Sequence, residues 1–243
     1  MKYMGSKNRI AKGIVPIIQQ RIDDNNVDLY IEPFCGGCNI IDKVICDNKI
    51  ASDNQKYLIA MFQHLDELDT LPEIITKEEY DIVRNAYQNN TEEFPDWYIG
   101  AIGFLASYRG RFFDGGYARC TKDSSGKFRN YYDEAKRNLL KQISDLRNIH
   151  FRCCDYHFWT DTKGAVFYLD PPYEEVKQYN SALNFDHEEF WKWAEYMSKD
   201  NIVLVSEYNA PDGWKCVWKR DLKKTMDHKK IVNSVEKLFE FCV

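Results

Sequence analysis

The segment Leu169-Asp170-Pro171-Pro172-Tyr173 sets a carboxylate, two prolines and an aromatic ring in a row after the apolar run 165–169. Such a run reads as a buried strand. A carboxylate at its C-terminal end lies in the crevice where α/β sheets bind ligands. The prolines stiffen the loop and remove two backbone donors. The Asp170 side chain and the Pro171 carbonyl are left as acceptors beside the face of Tyr173. Two acceptors and a stacking ring suit a planar base carrying an NH2 group; the bland alternative is a rigid exposed turn.

Two other places could serve such a site. Tyr30-Ile31-Glu32-Pro33-Phe34-Cys35-Gly36-Gly37-Cys38 puts a glycine pair where a buried strand turns toward a helix. Glycine lets backbone approach a ligand, and a helix N-terminus offers free amides, although the same pair also serves a plain tight turn. The spacing is not G-x-G-x-x-G, so a nicotinamide dinucleotide is not indicated. Asp53 ends the next apolar run, about 17 residues after Gly36. Nucleoside-binding folds put a ribose-binding carboxylate there; the position equally suits an N-cap for the following helix.

The elements that must hold these residues alternate. Runs over 27–34, 49–53, 149–155, 165–170 and 201–208 read as buried strands, with 214–221 and 235–241 as a C-terminal hairpin. Helical patterns cover 8–21, 38–46, 55–68, 133–146 and 187–198, which predicts a parallel sheet with helices on both faces. The alternation breaks between about 71 and 132, where helix-like 77–88 and 96–106 precede glycine-rich, basic 109–126. Trp97, Tyr98, Phe104, Tyr108, Phe112, Phe113 and Tyr117 read as the small core of an inserted lobe. The expected division is 1–70 with 149–243 as a discontinuous catalytic domain, and 71–148 as the insert.

The 243 residues, 44% hydrophobic and 29% charged, suit one α/β core with an insert and exclude a disordered chain. No apolar run approaches the roughly 18 residues that span a bilayer. The basic start MKYMGSKNRIAKG lacks a signal peptide's apolar stretch, so a cytoplasmic chain without membrane contact is expected. The eight cysteines (35, 38, 46, 120, 153, 154, 216, 242) then read as reduced, mostly buried thiols. Cys35-x-x-Cys38 has no second ligand pair, so no metal site is expected. The formal net charge of −5 does not exclude a polyanionic partner, because a binding face needs only local charge. Between Tyr108 and Asn130, six basic residues (Arg109, Arg111, Arg119, Lys122, Lys127, Arg129) stand against Asp114 and Asp123. That run is either a solvated loop or a phosphate-binding face.

In their order, these blocks resemble the Dam-type, or D12-class, adenine-specific DNA methyltransferases. Lys2-Tyr3-Met4-Gly5-Ser6-Lys7 resembles the family's K-[WY]-x-G-[GS]-K block. Glu32 to Gly37 resembles its [DE]-P-F-x-G-x-G loop, and Asp170 to Tyr173 its D-P-P-Y motif. Cys38 stands where the loop's last glycine is expected. A thiol is tolerated there at negative φ, while positive φ would strain the loop by about 1 kcal/mol or more. The resemblance spans essentially the whole chain. It implies an α/β fold: a Rossmann-like class I S-adenosylmethionine (SAM)-dependent methyltransferase sheet with a C-terminal antiparallel hairpin, plus an inserted, mostly helical target-recognition lobe.

The same resemblance implies a site. Tyr3, Lys7, Glu32, Phe34, Gly36, Gly37, Asp53, Asp155, Tyr156 and Asp170 would contact SAM, which leaves as S-adenosylhomocysteine. Lys7 would lie near the methionine carboxylate, Asp53 on the ribose, and Asp155 and Tyr156 at the adenine. Asp170, Pro171, Pro172 and Tyr173 would be catalytic. Asp170 and the Pro171 carbonyl accept the N–H bonds of the target amine, and Tyr173 stacks on a base flipped from double-stranded DNA. Lys2, Arg109, Arg111, Arg119, Lys122, Lys127 and Arg129 would grip that DNA, with Lys219, Arg220, Lys223 and Lys224 adding backbone contacts. A separate restriction endonuclease is a further partner so implied. The rivals are a methyltransferase of RNA adenine or a protein amide, and a non-catalytic DNA-binding module. Glutamine enzymes usually carry N-P-P-Y, and a non-catalytic module would lack the aspartate or tyrosine of the motif.

Overall fold

The computed structural model describes residues 1–122, 125, 126, 128–174, 185–227 and 230–242; of 222–227 and 230–234 it describes the backbone alone. Lys127 and the side chains of Lys223 and Lys224, all expected near DNA, lie outside the described residues. In chain order the strands are β1 (Leu29–Glu32), β2 (Asn48–Asp53), β3 (Thr121–Lys122), β4 (Phe128–Arg129), β5 (Ile149–Cys153), β6 (Val166–Leu169), β7 (Ile202–Glu207), β8 (Trp214–Asp227) and β9 (Lys230–Phe241). The helices are α1 (Ala11–Asp24), α2 (Lys56–Gln63), α3 (Lys77–Gln88), α4 (Asp96–Leu105), α5 (Tyr131–Leu140), α6 (Ile143–Leu146) and α7 (His187–Met197).

One seven-stranded sheet runs β5-β2-β1-β6-β7-β9-β8, and β3 pairs with β4 in a separate two-stranded ladder. β5, β2, β1, β6 and β7 are parallel; β9 returns antiparallel to β7 and β8 antiparallel to β9. This is the expected α/β sheet with its C-terminal hairpin. Strand order reverses at β1, which pairs with β2 on one side and β6 on the other, with Ile31 opposite Phe167. That reversal opens a crevice beyond the carboxyl ends of the strands, and it brings the Glu32 and Asp170 segments side by side.

Period-2 alternation sorts the central strands between two cores. Tyr30, Val166, Tyr168 and Leu204 face one cluster, which holds the α1 stripe Ile14, Ile18 and Ile22. Ile31, Phe167, Leu169, Val203 and Val205 face the other, with Phe190, Trp193 and Met197 of α7.

In the segment 71–148, Tyr80, Tyr87, Phe104, Phe112, Phe113 and Tyr117 pack on one another, and this cluster is continuous with the α1-side core. α4 is buried from Ile99 to Leu105, and its side chains share the α1-side cluster with Tyr57, Met61 and Phe62 of α2. α2 and α4 meet so closely that a Cβ on Gly100 would lie 2.0 Å from the Tyr57 carbonyl oxygen. Gly100→Ala must therefore shift a backbone. Overpacking of this kind costs about 1–3 kcal/mol or more, so its thermal unfolding midpoint is expected about 3–10 °C below that of the unmodified chain.

Three local expectations need correction. Residues 38–46 were expected as a helix, but they hold only the 3-10 turn Ile41–Lys43. Cys38 takes φ +54, and the Gln142 amide donates to the carbonyls of Cys38 (2.8 Å) and Gly37 (3.3 Å), so the chain runs inward instead of coiling. The positive φ also means that Cys38 carries the left-handed strain of about 1–2 kcal/mol. The expected helix 133–146 is two helices, α5 and α6, with Gln142 in the break. Finally, only Cys35 and Cys38 are buried, while Cys153, Cys216 and Cys242 are exposed.

Candidate active site

Every parallel strand delivers a carboxylate to the crevice rim: Glu32 ends β1, Asp53 ends β2, Asp155 lies two residues past β5, Asp170 follows β6, and Glu207 ends β7. The Lys7 ammonium, from the turn before α1, lies 3.0 Å from Asp170 Oδ1 and 3.6 Å from Glu236 Oε2. Burial pulls its pKa down, but those two carboxylates outweigh burial and raise it.

Asp170 keeps about 20% of its side chain exposed. Desolvation pushes its pKa up to about 6, against the pull of Lys7. Pro171 is buried and Pro172 half-buried. The Tyr173 ring is 8% exposed, with Lys7 Nζ 4.3 Å from its centroid and its hydroxyl donating to Glu236 Oε2 at 2.9 Å. Tyr208 meets the ring edge-on at 4.7 Å. Glu207 accepts the Glu174 amide at 3.0 Å and that of Tyr208, which fixes the exit of the D-P-P-Y loop. Burial raises its pKa to about 7. Glu207 and Glu236 escaped the sequence reading. Glu207 could have been found by the rule that found Asp53 and Asp170, an acid closing an apolar run; Glu236 has no such signal.

At the glycine loop, Gly36 takes φ +45, and a Cβ on it would lie 2.8 Å from the Tyr3 ring. Tyr3 thus lies on the loop, backed by Phe104 at 5.8 Å. Asp53 Oδ2 accepts the Gly36 amide at 3.2 Å and Oδ1 that of Gln55 at 3.0 Å. Gln55, and not Asp53, is the N-cap of α2. Burial raises the Asp53 pKa, opposed by these amides. Glu32 is buried deeper and raised well above the ordinary range by desolvation, with Tyr30 donating to it at 2.6 Å. Phe34 and Tyr156 lie 5.5 Å apart in an aromatic patch with Phe185 and Phe190. Asp155 is exposed, its Oδ1 taken by the amide and ring of His157.

Several of the basic residues lie against acids or neighbouring strands. Lys2 (3.1 Å) and Arg129 (2.8 Å) converge on Glu134. Arg119 and Lys122 are exposed, and so is Arg109, which takes φ +59 beside Tyr108. Arg111 is half-buried.

A family model described as "D12 class N6 adenine-specific DNA methyltransferase" matches residues 3–203. The chain belongs to that family. It is a site-specific enzyme that methylates adenine in DNA with SAM as methyl donor. It is 22% identical to type II methyltransferase M.MjaIII of Methanocaldococcus jannaschii, over 99% of this chain and 87% of that one. To type II methyltransferase M.FokI of Planomicrobium okeanokoites it is 24% identical, over 71% of this chain and 28% of the relative. A solved structure of SMU.472, a putative methyltransferase complexed with S-adenosylhomocysteine, aligns with 95% of this chain and 53% of its own at 11% identity and TM-score 0.32.

The residues of this methyltransferase suit SAM. A sulfonium and a ribose diol call for carboxylates, an adenine for an aromatic wall, and a free carboxylate for a cation. The rim offers Glu32, Asp53 and Asp170, the Phe34–Tyr156 patch, and Lys7. Among the described residues, no helix is long and apolar enough to cross a membrane.

Proposed function

We propose that the chain methylates adenine N6 within a specific double-stranded sequence, acting on a base flipped out of the duplex. The observation that carries this is the Lys7–Asp170–Tyr173 cluster at the crevice where strand order reverses. When bound, SAM supplies an electrophilic methyl. Lys7 binds its carboxylate, Asp53 its ribose, the Gly36–Gly37 backbone and Tyr3 pack along it, and Phe34 and Tyr156 wall the adenine with Asp155 at the edge. Glu32, held by the Tyr30 hydroxyl at the end of β1, lies beside the loop as a further cofactor contact.

Asp170 and the Pro171 carbonyl accept the two N–H bonds of the target amine, drawing the nitrogen toward a pyramidal shape with its lone pair free. Acceptors fixed where positive charge develops favour the transition state over the ground state. Pro172 keeps the loop from relaxing. Tyr173 stacks on the base, a contact worth about 1–3 kcal/mol. No strong base is required, since the amine proton becomes acidic only as the methyl arrives.

Residues 71–148 form the target-recognition insert in this reading. Arg109, Arg111, Arg119 and Lys122 reach the DNA directly. Lys2 and Arg129 join when phosphates compete with Glu134 for their charge, and Lys127 adds a further basic contact. The type II designation of both relatives supports a separately encoded restriction endonuclease as companion. A DNA substrate supports a cytoplasmic site of action in a bacterial or archaeal cell, or for a phage protein in its host.

The test is transfer of labelled methyl from SAM to methylation-free bacterial DNA, with nucleoside mass spectrometry. N6-methyladenine confined to one short sequence is the expected result. Methyl groups only in RNA or protein would overturn it.

A further inference from the structure

We infer that Glu236, on β9, is a positioning residue for the catalytic segment, holding the Tyr173 ring by its hydroxyl and the Lys7 ammonium against Asp170. The inference rests on the roles proposed for Asp170 and Tyr173. It adds a residue outside 3–203, the span that the family model matches.

Glu236 is 5% exposed. Its Oε2 accepts the Tyr173 hydroxyl at 2.9 Å and lies 3.6 Å from Lys7 Nζ. Lys7 in turn lies 3.0 Å from Asp170 Oδ1 and 4.3 Å from the Tyr173 ring centroid. One oxygen atom therefore touches both the ring of D-P-P-Y and the cation that neutralises its aspartate.

The fold explains how a strand so late in the chain arrives there. β9 runs antiparallel to β7 with Lys237 opposite Glu207, so Glu236 is the next residue beyond the end of β7, at the crevice. Alternation puts Glu236, Leu238 and Glu240 on one face of β9. Glu240 pairs with Arg21 of α1 at 2.8 Å, and Leu238 joins the α1-side core. Glu236 continues that row, and it meets Lys7 in the turn before α1.

A purely structural role fits this carboxylate poorly. Burying an acid carries a desolvation cost even when it is paired, as this one is with Lys7 and the Tyr173 hydroxyl, and it adds negative charge beside Asp170, opposing its ionisation. Apolar packing would hold a tyrosine ring without that penalty. It would not fix the ring by its hydroxyl and share a cation with the aspartate.

Two variants test this on the full chain. Glu236→Leu removes the acceptor at similar volume; Glu236→Gln keeps an acceptor and removes the charge. With E236L, kcat for DNA methylation is expected to fall about 10–100-fold, as small misplacements of reacting groups do, with little change in SAM affinity or unfolding temperature. Tyr173→Phe should lose a similar factor, and the double variant no more than the worse single one, because both cut the same bond. E236Q should keep most of its turnover and move the acid limb of kcat/KM to lower pH.

Wild-type turnover in E236L, or losses that multiply in the double variant, would overturn the inference. Should E236L not fold, E236Q decides: an acid limb that stays or moves upward overturns it. Asp170→Ala in parallel separates the two claims. Full activity there sinks the assignment of the catalytic segment, whereas its loss beside unaffected Glu236 variants sinks only this inference.

Discussion

Asp170→Ala is expected to lower the rate of N6 methylation by on the order of 10²–10³-fold, the loss typical when a group aimed at developing charge is removed. Single-turnover methyl transfer at saturating SAM and DNA would read it. Asp170→Asn should lie between, since a neutral amide oxygen accepts less strongly than a carboxylate. Neither change should unfold the chain. Asp170 has its folded pKa raised to about 6 from 3.8, so its ionisation opposes folding. The favourable contribution of its protonated form is complete below about pH 4 and lost as pH rises through about 6. At pH 7 and above the ionised Asp170 costs the fold, while its removal also takes the nearest counter-ion from Lys7 and leaves Glu236 to balance it; the two effects oppose, so the unfolding temperature should change little. A turnover loss matched by a fall in unfolding temperature would sink the catalytic role.

Much of this architecture is legible in the sequence, because apolar period and strand-end acids are local signals. All seven strands of the large sheet fall where short apolar runs predict them, and α3 occupies the predicted 77–88. Sequence also singles out Asp53 and Asp170, since each closes an apolar run. The misses depend on contacts distant in sequence. Residues 38–46 carry a helical pattern, yet Gln142, about a hundred positions away, takes the carbonyls of Gly37 and Cys38. The aromatic-rich insert suggests a small cluster of its rings, and those rings do pack together; that Gly100 also lets α4 sink against α2 is a contact the sequence does not announce. Glu236 lies in a β-hairpin strand as an ordinary alternating acid, and only the pairing of β9 with β7 carries it to the crevice. The Arg109–Arg129 run is basic by count, but Arg129 is tied to Glu134, which the count leaves out.

Lys7→Met carries the second large expected effect, and its signature is a shift in pH dependence. Lys7 faces Asp170 from the turn before α1, Glu236 faces it from β9, and Tyr173 faces it from the same loop. Glu32, Tyr168 and Glu207 lie around it at the ends of β1, β6 and β7. Burial raises the Asp170 pKa, Glu236 raises it further, and Lys7 is the foremost influence that lowers it. For the unmodified enzyme, kcat/KM, which reports the free enzyme, should therefore fall below about pH 6 with a one-proton slope. Lys7→Met removes the lowering influence while Glu236 still raises the pKa, so the acid limb must move upward toward neutral pH. Each unit by which that pKa exceeds the assay pH cuts the ionised fraction about tenfold, equivalent to about 1.4 kcal/mol. At alkaline pH the electrostatic part of the loss disappears, and what persists measures the contact of Lys7 with SAM, seen as a raised KM for the cofactor. A loss equal at every pH, with the limb still near 6, would leave Lys7 a cofactor contact alone and Asp170 tuned by burial without it.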